Sequence, residues 1–245
     1  MTNNPFNRGA DVAGIERLGI DAGLRSHMLR IYNYMGLGVG MTGLMAWLIA
    51  NTPALNEIFY NAATRSPTVI GMIAMFAPLA FILFMSFASQ RSSASTLQSM
   101  FCGFCALMGI SMSSVFMIYT SVSIANTFFV VAAMFAATSL WGYTTKADLS
   151  KMGSFLMMAL IGIIIAGVVN IFLKSSMLHF VTSAIGVVVF TGLTAWDTQR
   201  IKDDYNEGNG QESTSKMAIL GALNLYLNFI NLFQMMLQFM GARRD

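Results

Sequence analysis

Charged residues are missing from long stretches of this chain. None lies between Arg30 and Glu57, Arg65 and Arg91, Arg91 and Lys146, Lys151 and Lys174, Lys174 and Asp197, or Lys216 and Arg243. A helix crossing the hydrocarbon core needs about 20 mostly apolar residues. Each gap holds one such helix, and the Arg91–Lys146 gap holds two, divided by a polar break at Ser121-Val-Ser-Ile-Ala-Asn126. A membrane barrel would instead alternate apolar and polar residues over about ten positions. The gaps therefore predict an all-α integral membrane bundle of seven transmembrane helices. The spans fall at 29–50, 67–88, 96–118, 124–144, 153–173, 178–200 and 217–240. Only 10% of the 245 residues are charged, against about a quarter in soluble domains. The same shortage rules out a disordered chain and argues against a soluble globular one.

Residues 1–24 read as a flexible cytoplasmic tail, and 25–245 as the membrane domain. With the N-terminus inside, inner segments hold Arg8, Arg17, Arg25, Arg30, Arg91, Lys146, Lys151, Arg200, Lys202 and Lys216. Outer segments hold Arg65, Lys174, Arg243 and Arg244. The positive-inside rule then places the N-terminus in the cytoplasm and the C-terminus outside. The loop over 201–216 carries Asp203, Asp204, Glu207 and Glu212, and reads as a solvated loop rather than a cation site.

Several motifs reduce to packing. Gly38-Val-Gly-Met-Thr-Gly43 has dinucleotide-loop spacing but sits inside a span, without the strand that the motif requires. Gly36 and Gly40 form a G-x-x-x-G pair that suits close helix approach. Cys102-Gly-Phe-Cys105 lies in apolar surroundings and lacks further soft ligands for zinc. The 21 methionines, among them Met72, Met75, Met235, Met236 and Met240, suit a pliable apolar core better than a copper site. A paired-carboxylate protease needs two acids sharing a site, and only Asp197 lies inside a span. His27 and His179 stand apart, and no H-E-x-x-H or G-x-S-x-G occurs. The chain reads as a non-enzyme without a cofactor.

Ionisable groups within a bilayer are costly and are functional candidates by default. Asp197 is near the inner end of span six, with Arg200 one turn later and Arg91 between spans two and three. In span seven, Asn224, Asn228, Asn231, Gln234 and Gln238 share an arc of about 120° at 100° per residue. Amides facing lipid would be unsatisfied, so this helix turns its stripe inward and is expected at the bundle centre. The stripe is either interhelical glue or the lining of a pathway; the sequence leaves both open.

Thr191-Gly-Leu-Thr-Ala-Trp-Asp-Thr-Gln-Arg-Ile201 and Gly221-Ala-Leu-Asn-Leu-Tyr-Leu-Asn-Phe-Ile-Asn-Leu-Phe233 resemble the paired signature of the Bax inhibitor-1 (transmembrane Bax inhibitor motif) family. The resemblance extends over residues 25–242, and the short tails look bacterial. It implies a seven-helix bundle with the last helix central, in the bacterial inner membrane. It also implies a pH-sensitive calcium leak channel, latched by two aspartates and supported by an arginine. By motif the first aspartate is Asp197, which would also meet calcium in transit, and the arginine is Arg91. Asn228 stands where the family has its second aspartate. An amide cannot share a proton with Asp197, so the latch is expected to survive with its pH dependence altered. Asn224, Asn231 and Gln234 are the pathway-lining candidates. The partners implied are the lipid bilayer and calcium or other cations, with no nucleic acid. The alternative reading is a non-conducting regulator that binds a membrane-anchored ATP-dependent protease.

Overall fold

The computed structural model describes the backbone of residues 5–244 except 62, 63, 65, 207 and 209, and side chains from residue 22 onward. Of the tail expected over 1–24, residues 1–4 fall outside these, as does Glu207, and the backbone is helical from Pro5. The described secondary structure is helical: α1 (Pro5–Asn51), α2 (Pro53–Phe59), α3 (Val69–Ala88), α4 (Ala94–Met112), α5 (Ser114–Ile118), α6 (Ser121–Thr144), α7 (Ser150–Leu173), α8 (Ser176–Asp203) and α9 (Gln211–Met240). Among the described residues, six membrane-length apolar stretches stand alone: α3, α4 continued by α5, α6, α7, α8 and α9. A seventh is reached if the bent pair of α1, from Ala22, and α2 is one span.

The chain sets helix starts with hydroxyl caps. Thr68, Ser93, Thr120 and Ser175 each accept a bond from the backbone N–H three residues on. Such caps satisfy donors that a helix start leaves open, and hydrocarbon offers no substitute. Proline sets the first bend. The α1–α2 axis turns by 96° at Thr52-Pro53, because proline lacks an N–H and pushes its predecessor out of the helical region. The chain then folds back, with the Thr68 hydroxyl donating to the Ile58 carbonyl at 2.7 Å.

Three boundaries differ from the sequence expectation. The break in the long gap falls at Tyr119-Thr120, and Ser121–Asn126 forms the first turns of α6. Thr120 caps the helix, so the serines ride on its surface instead of ending it. The third span is interrupted at Ser113, whose hydroxyl bonds the Ile110 carbonyl at 2.7 Å. The acidic loop shrinks to residues 204–210, because Asp203 and Glu212 are helical. Glu212, though exposed, is in the first turn of α9, and its carboxylate accepts the Ala94 N–H at 2.7 Å, at the start of α4.

Close helix contact also falls on different glycines from those expected. Gly36 and Gly40 face open space. Gly38 instead lies against Phe101 and Cys105 of α4, and a Cβ on Gly109 would sit 2.6 Å from the Thr42 carbonyl. The one-turn spacing of Gly36 and Gly40 did not reveal which side of α1 meets α4. Cys105 is buried there, while Cys102 is exposed on the outside of the same helix.

The connections gather at two ends. At one, Gln199 joins α8 to the α6–α7 connection by accepting the Leu149 N–H and donating to the Ala147 carbonyl, both at 2.8 Å. At the other, residues 242–244 pair with the α5–α6 turn, through Thr120 N–H to the Ala242 carbonyl and Arg244 N–H to the Ile118 carbonyl. Between the ends, α9 packs against α1, α4, α6 and α8. Its apolar window is 61% buried, against 6% for α7, which packs chiefly on α8.

Candidate functional site

Small residues bring α8 close to its neighbours. A Cβ on Gly142 of α6 would collide with the Ala195 carbonyl of α8, and Gly153 of α7 lies against the Trp196 ring. On the inner side of α8, Asp197 meets α9. Asn228 Nδ2 donates to Asp197 Oδ2 at 2.7 Å. Both residues are buried, at 7% and 6% exposed. A hydrogen bond to a charged group contributes about 1.5–3 kcal/mol, and this one ties the last two long helices together.

The other carboxylate oxygen, Oδ1, lies 3.6 Å from Arg200 Nη2. Arg200 is one turn along α8, with its side chain 43% exposed. Its guanidinium also stands 5.0 Å from the centre of the Trp196 ring. A half-exposed pair of this kind contributes at most about 1 kcal/mol, so Asn228 is the stronger partner. Arg91 is not brought to the site. It is exposed on the α3–α4 turn, and its backbone N–H bonds the Ala88 carbonyl.

A cavity of about 740 Å³ begins at this pair. Side chains of α3, α4, α7, α8 and α9 line it. Asp197, Asn224, Asn228, Asn231 and Gln234 all face it. Asp197 is the single acidic residue in its lining. From Asn224 to Gln234 the stripe runs about 15 Å along the helix, roughly half the hydrocarbon thickness.

The five amides of α9 therefore divide by partner. Asn228 holds Asp197, and Gln238 accepts from the Ser183 hydroxyl at 3.0 Å. Asn231 bonds back to the Leu227 carbonyl at 2.8 Å. Asn224 and Gln234 have no hydrogen-bond partner among the described residues, so water is their natural counterpart. Asn228 and Gln238 are thus bonded between helices, while Asn224, Asn228, Asn231 and Gln234 line the cavity. No cluster of three or more metal-ligating His, Cys, Asp or Glu side chains occurs among the described residues.

Two hydroxyl chains brace the site, and neither was foreseen from the sequence. Tyr32 of α1 bonds Ser139 of α6 at 2.6 Å, and Ser139 bonds Thr198, the neighbour of Asp197, at 2.9 Å. Thr42 of α1 bonds Tyr226 of α9 at 2.6 Å and donates to the Cys105 carbonyl at 2.9 Å. Tyr226 is fully buried, with Phe101 and Phe104 edge-on at 5.8 Å. Hydroxyl residues occur throughout the spans, so only tertiary contact distinguishes these. His27, expected at the tail junction, is buried against Tyr205 at a ring distance of 5.1 Å.

Long apolar helices around a buried Asp–Asn pair and a polar-striped helix define a polytopic membrane protein of the Bax inhibitor kind. The family described as "inhibitor of apoptosis-promoting Bax1" matches residues 24–245. The chain belongs to the Bax inhibitor-1 family. It is 46% identical over 225 residues to an uncharacterised protein of Rickettsia prowazekii, covering 92% of this chain and 93% of that one. It is 42% identical over 252 residues to an uncharacterised protein of Caulobacter vibrioides, covering 99% and 100%. It is 45% identical over 225 residues to the inner membrane protein YbhL of Escherichia coli, covering 91% and 94%.

Proposed function

We propose that the protein is a passive cation leak of the bacterial inner membrane, with calcium as the ion carried. Seven spans, an inner N-terminus and an outer C-terminus complete this reading, with α9 as the central helix. The observation that carries it is the α9 amide stripe, which lines a cavity of about 740 Å³ beginning at Asp197. The partly exposed Asn224 and Gln234 amides, without protein partners among the described residues, turn to water, and a wet cavity inside an apolar bundle is what ion passage needs.

Asp197 is the gate. With Asn228 bonded to Oδ2 and Arg200 near Oδ1, its charge is occupied and the cavity is shut off at the α8–α9 end. Parting of α8 and α9 frees Oδ2 for a cation, while Arg200, on the same helix, stays near Oδ1. Calcium takes six to eight oxygen ligands. One carboxylate with the Asn224, Asn228 and Asn231 carbonyls is too sparse to trap the ion, which suits passage rather than storage. Asn228 lets the latch form with Asp197 ionised, because it supplies a proton donor that does not titrate.

The test is calcium entry into dye-loaded vesicles carrying the purified protein. Wild type should pass calcium, and Asp197→Asn should reduce its preference over monovalent cations. No flux above empty vesicles between about pH 5 and 8 would sink the proposal.

A further inference from the structure

A second cavity, lined by neither Asp197 nor Asn228, lies between α1 and α6. α1 and α6 both pack on α9, and the Tyr32–Ser139 hydroxyl bond links them. Otherwise they stand apart, leaving a groove of about 440 Å³. That volume is within the usual range for small-ligand sites. Its floor is buried: Met28 and Ser139 are each 3% exposed and Phe135 is 6%. Its rim stands out into the bilayer, with Leu29 at 53% and Leu140 at 63% exposed.

The groove is chemically polarised. Its walls are almost wholly apolar, and no acidic residue lines it. Exposed Arg25 closes one end, beside Tyr143. Two lysines reinforce that end. Lys202 Nζ donates to the Tyr143 carbonyl at 3.0 Å and stands 5.6 Å from its ring centre. Lys146 follows three residues after Tyr143, also exposed. From Tyr143 to Phe135 the groove follows α6 for about 12 Å. An apolar trough ending in positive charge, at the end of membrane-length helices, matches an acyl chain with an anionic head.

We infer that this groove binds one acyl chain of an anionic phospholipid, whose phosphate is held at Arg25. The lipid comes from the leaflet at the α8–α9 end. Arginine suits the role because its planar fork grips phosphate oxygens, while its stem lies along the apolar wall. The inference concerns lipid binding alone and does not depend on ion conduction.

Native mass spectrometry in detergent tests it. The probes are phosphatidylglycerol and phosphatidylcholine with identical acyl chains, and the free fatty acid. Wild type should hold one phosphatidylglycerol roughly five- to tenfold more tightly than phosphatidylcholine, the scale of one basic contact at a membrane surface. Ala136→Trp, at an exposed position in the groove wall, should abolish that first bound lipid. Arg25→Gln should keep a lipid but equalise the two headgroups. Circular dichroism and elution volume verify that both variants fold. Equal retention by Ala136→Trp, an unchanged preference in Arg25→Gln, or tighter binding of the fatty acid than of phosphatidylglycerol would each overturn the inference.

Discussion

Asn228→Ala is the most direct probe of the latch. It removes the donor that bonds Asp197 Oδ2 at 2.7 Å. The carboxylate stays buried, at 7% exposed, and keeps only Arg200 at 3.6 Å. That ion pair is half in solvent and cannot replace the lost bond. The hydrogen bond to the charged group contributes about 1.5–3 kcal/mol. An open state with α8 and α9 parted lacks this bond, so the substitution destabilises the closed state alone. At about 1.4 kcal/mol per tenfold, the open fraction should rise by about 10- to 150-fold, until saturation. The assay is the initial rate of calcium entry into dye-loaded vesicles, normalised to incorporated protein. Asn224→Ala is the control: it lines the same cavity one turn away and does not bond Asp197. Its rate should remain within about twofold of wild type. A wild-type rate in Asn228→Ala, or an equal rise in Asn224→Ala, would refute the latch.

Asn228→Asp places two carboxylates in contact, and such a pair shares a proton; calcium flux should then depend on pH near neutrality more steeply than in wild type, and superimposable pH profiles would contradict this. Tyr226→Phe removes the bond to Thr42 while leaving Thr42 its bond to Cys105. It should cost about 0.5–1.5 kcal/mol, read as a lower midpoint of thermal unfolding in detergent. Gly142→Leu drives a side chain onto the Ala195 carbonyl and should cost at least about 1–3 kcal/mol. Gly36→Ala faces open space and should be neutral or stabilising by up to about 1 kcal/mol, as helix propensity dictates; equal thermal shifts in the two glycine variants would mean that α6 and α8 do not meet as described.

Charge placement determined the helical class and located α3 through α8 to within a few residues, while α1 and α9 begin well before their expected starts. It could do so because hydrocarbon penalises each charge wherever the bundle puts it. The amide stripe likewise announced an inward face for α9, since its 100° repeat is a property of the helix itself. Local chemistry was less legible where two signals competed. Ser121 and Ser123 read as a break, yet Thr120 supplies the cap and the helix runs through them. Glu212 read as a solvated loop acid, and it bonds the start of α4.

Pairing was beyond the sequence. Asp197, Asn228 and Arg200 were all visible as candidates, but only the packing of α8 on α9 gave the carboxylate to Asn228 at 2.7 Å and left Arg91 on an exposed turn. The same packing decided that Gly38 and Gly109, not Gly36 and Gly40, carry the α1–α4 contact. It also selected Tyr32, Ser139 and Thr198 from many hydroxyl residues. Burial cost is a property of each residue and shows in composition and spacing. Hydrogen-bond partners depend on distances between helices far apart in the chain, so they exist only once the bundle has packed.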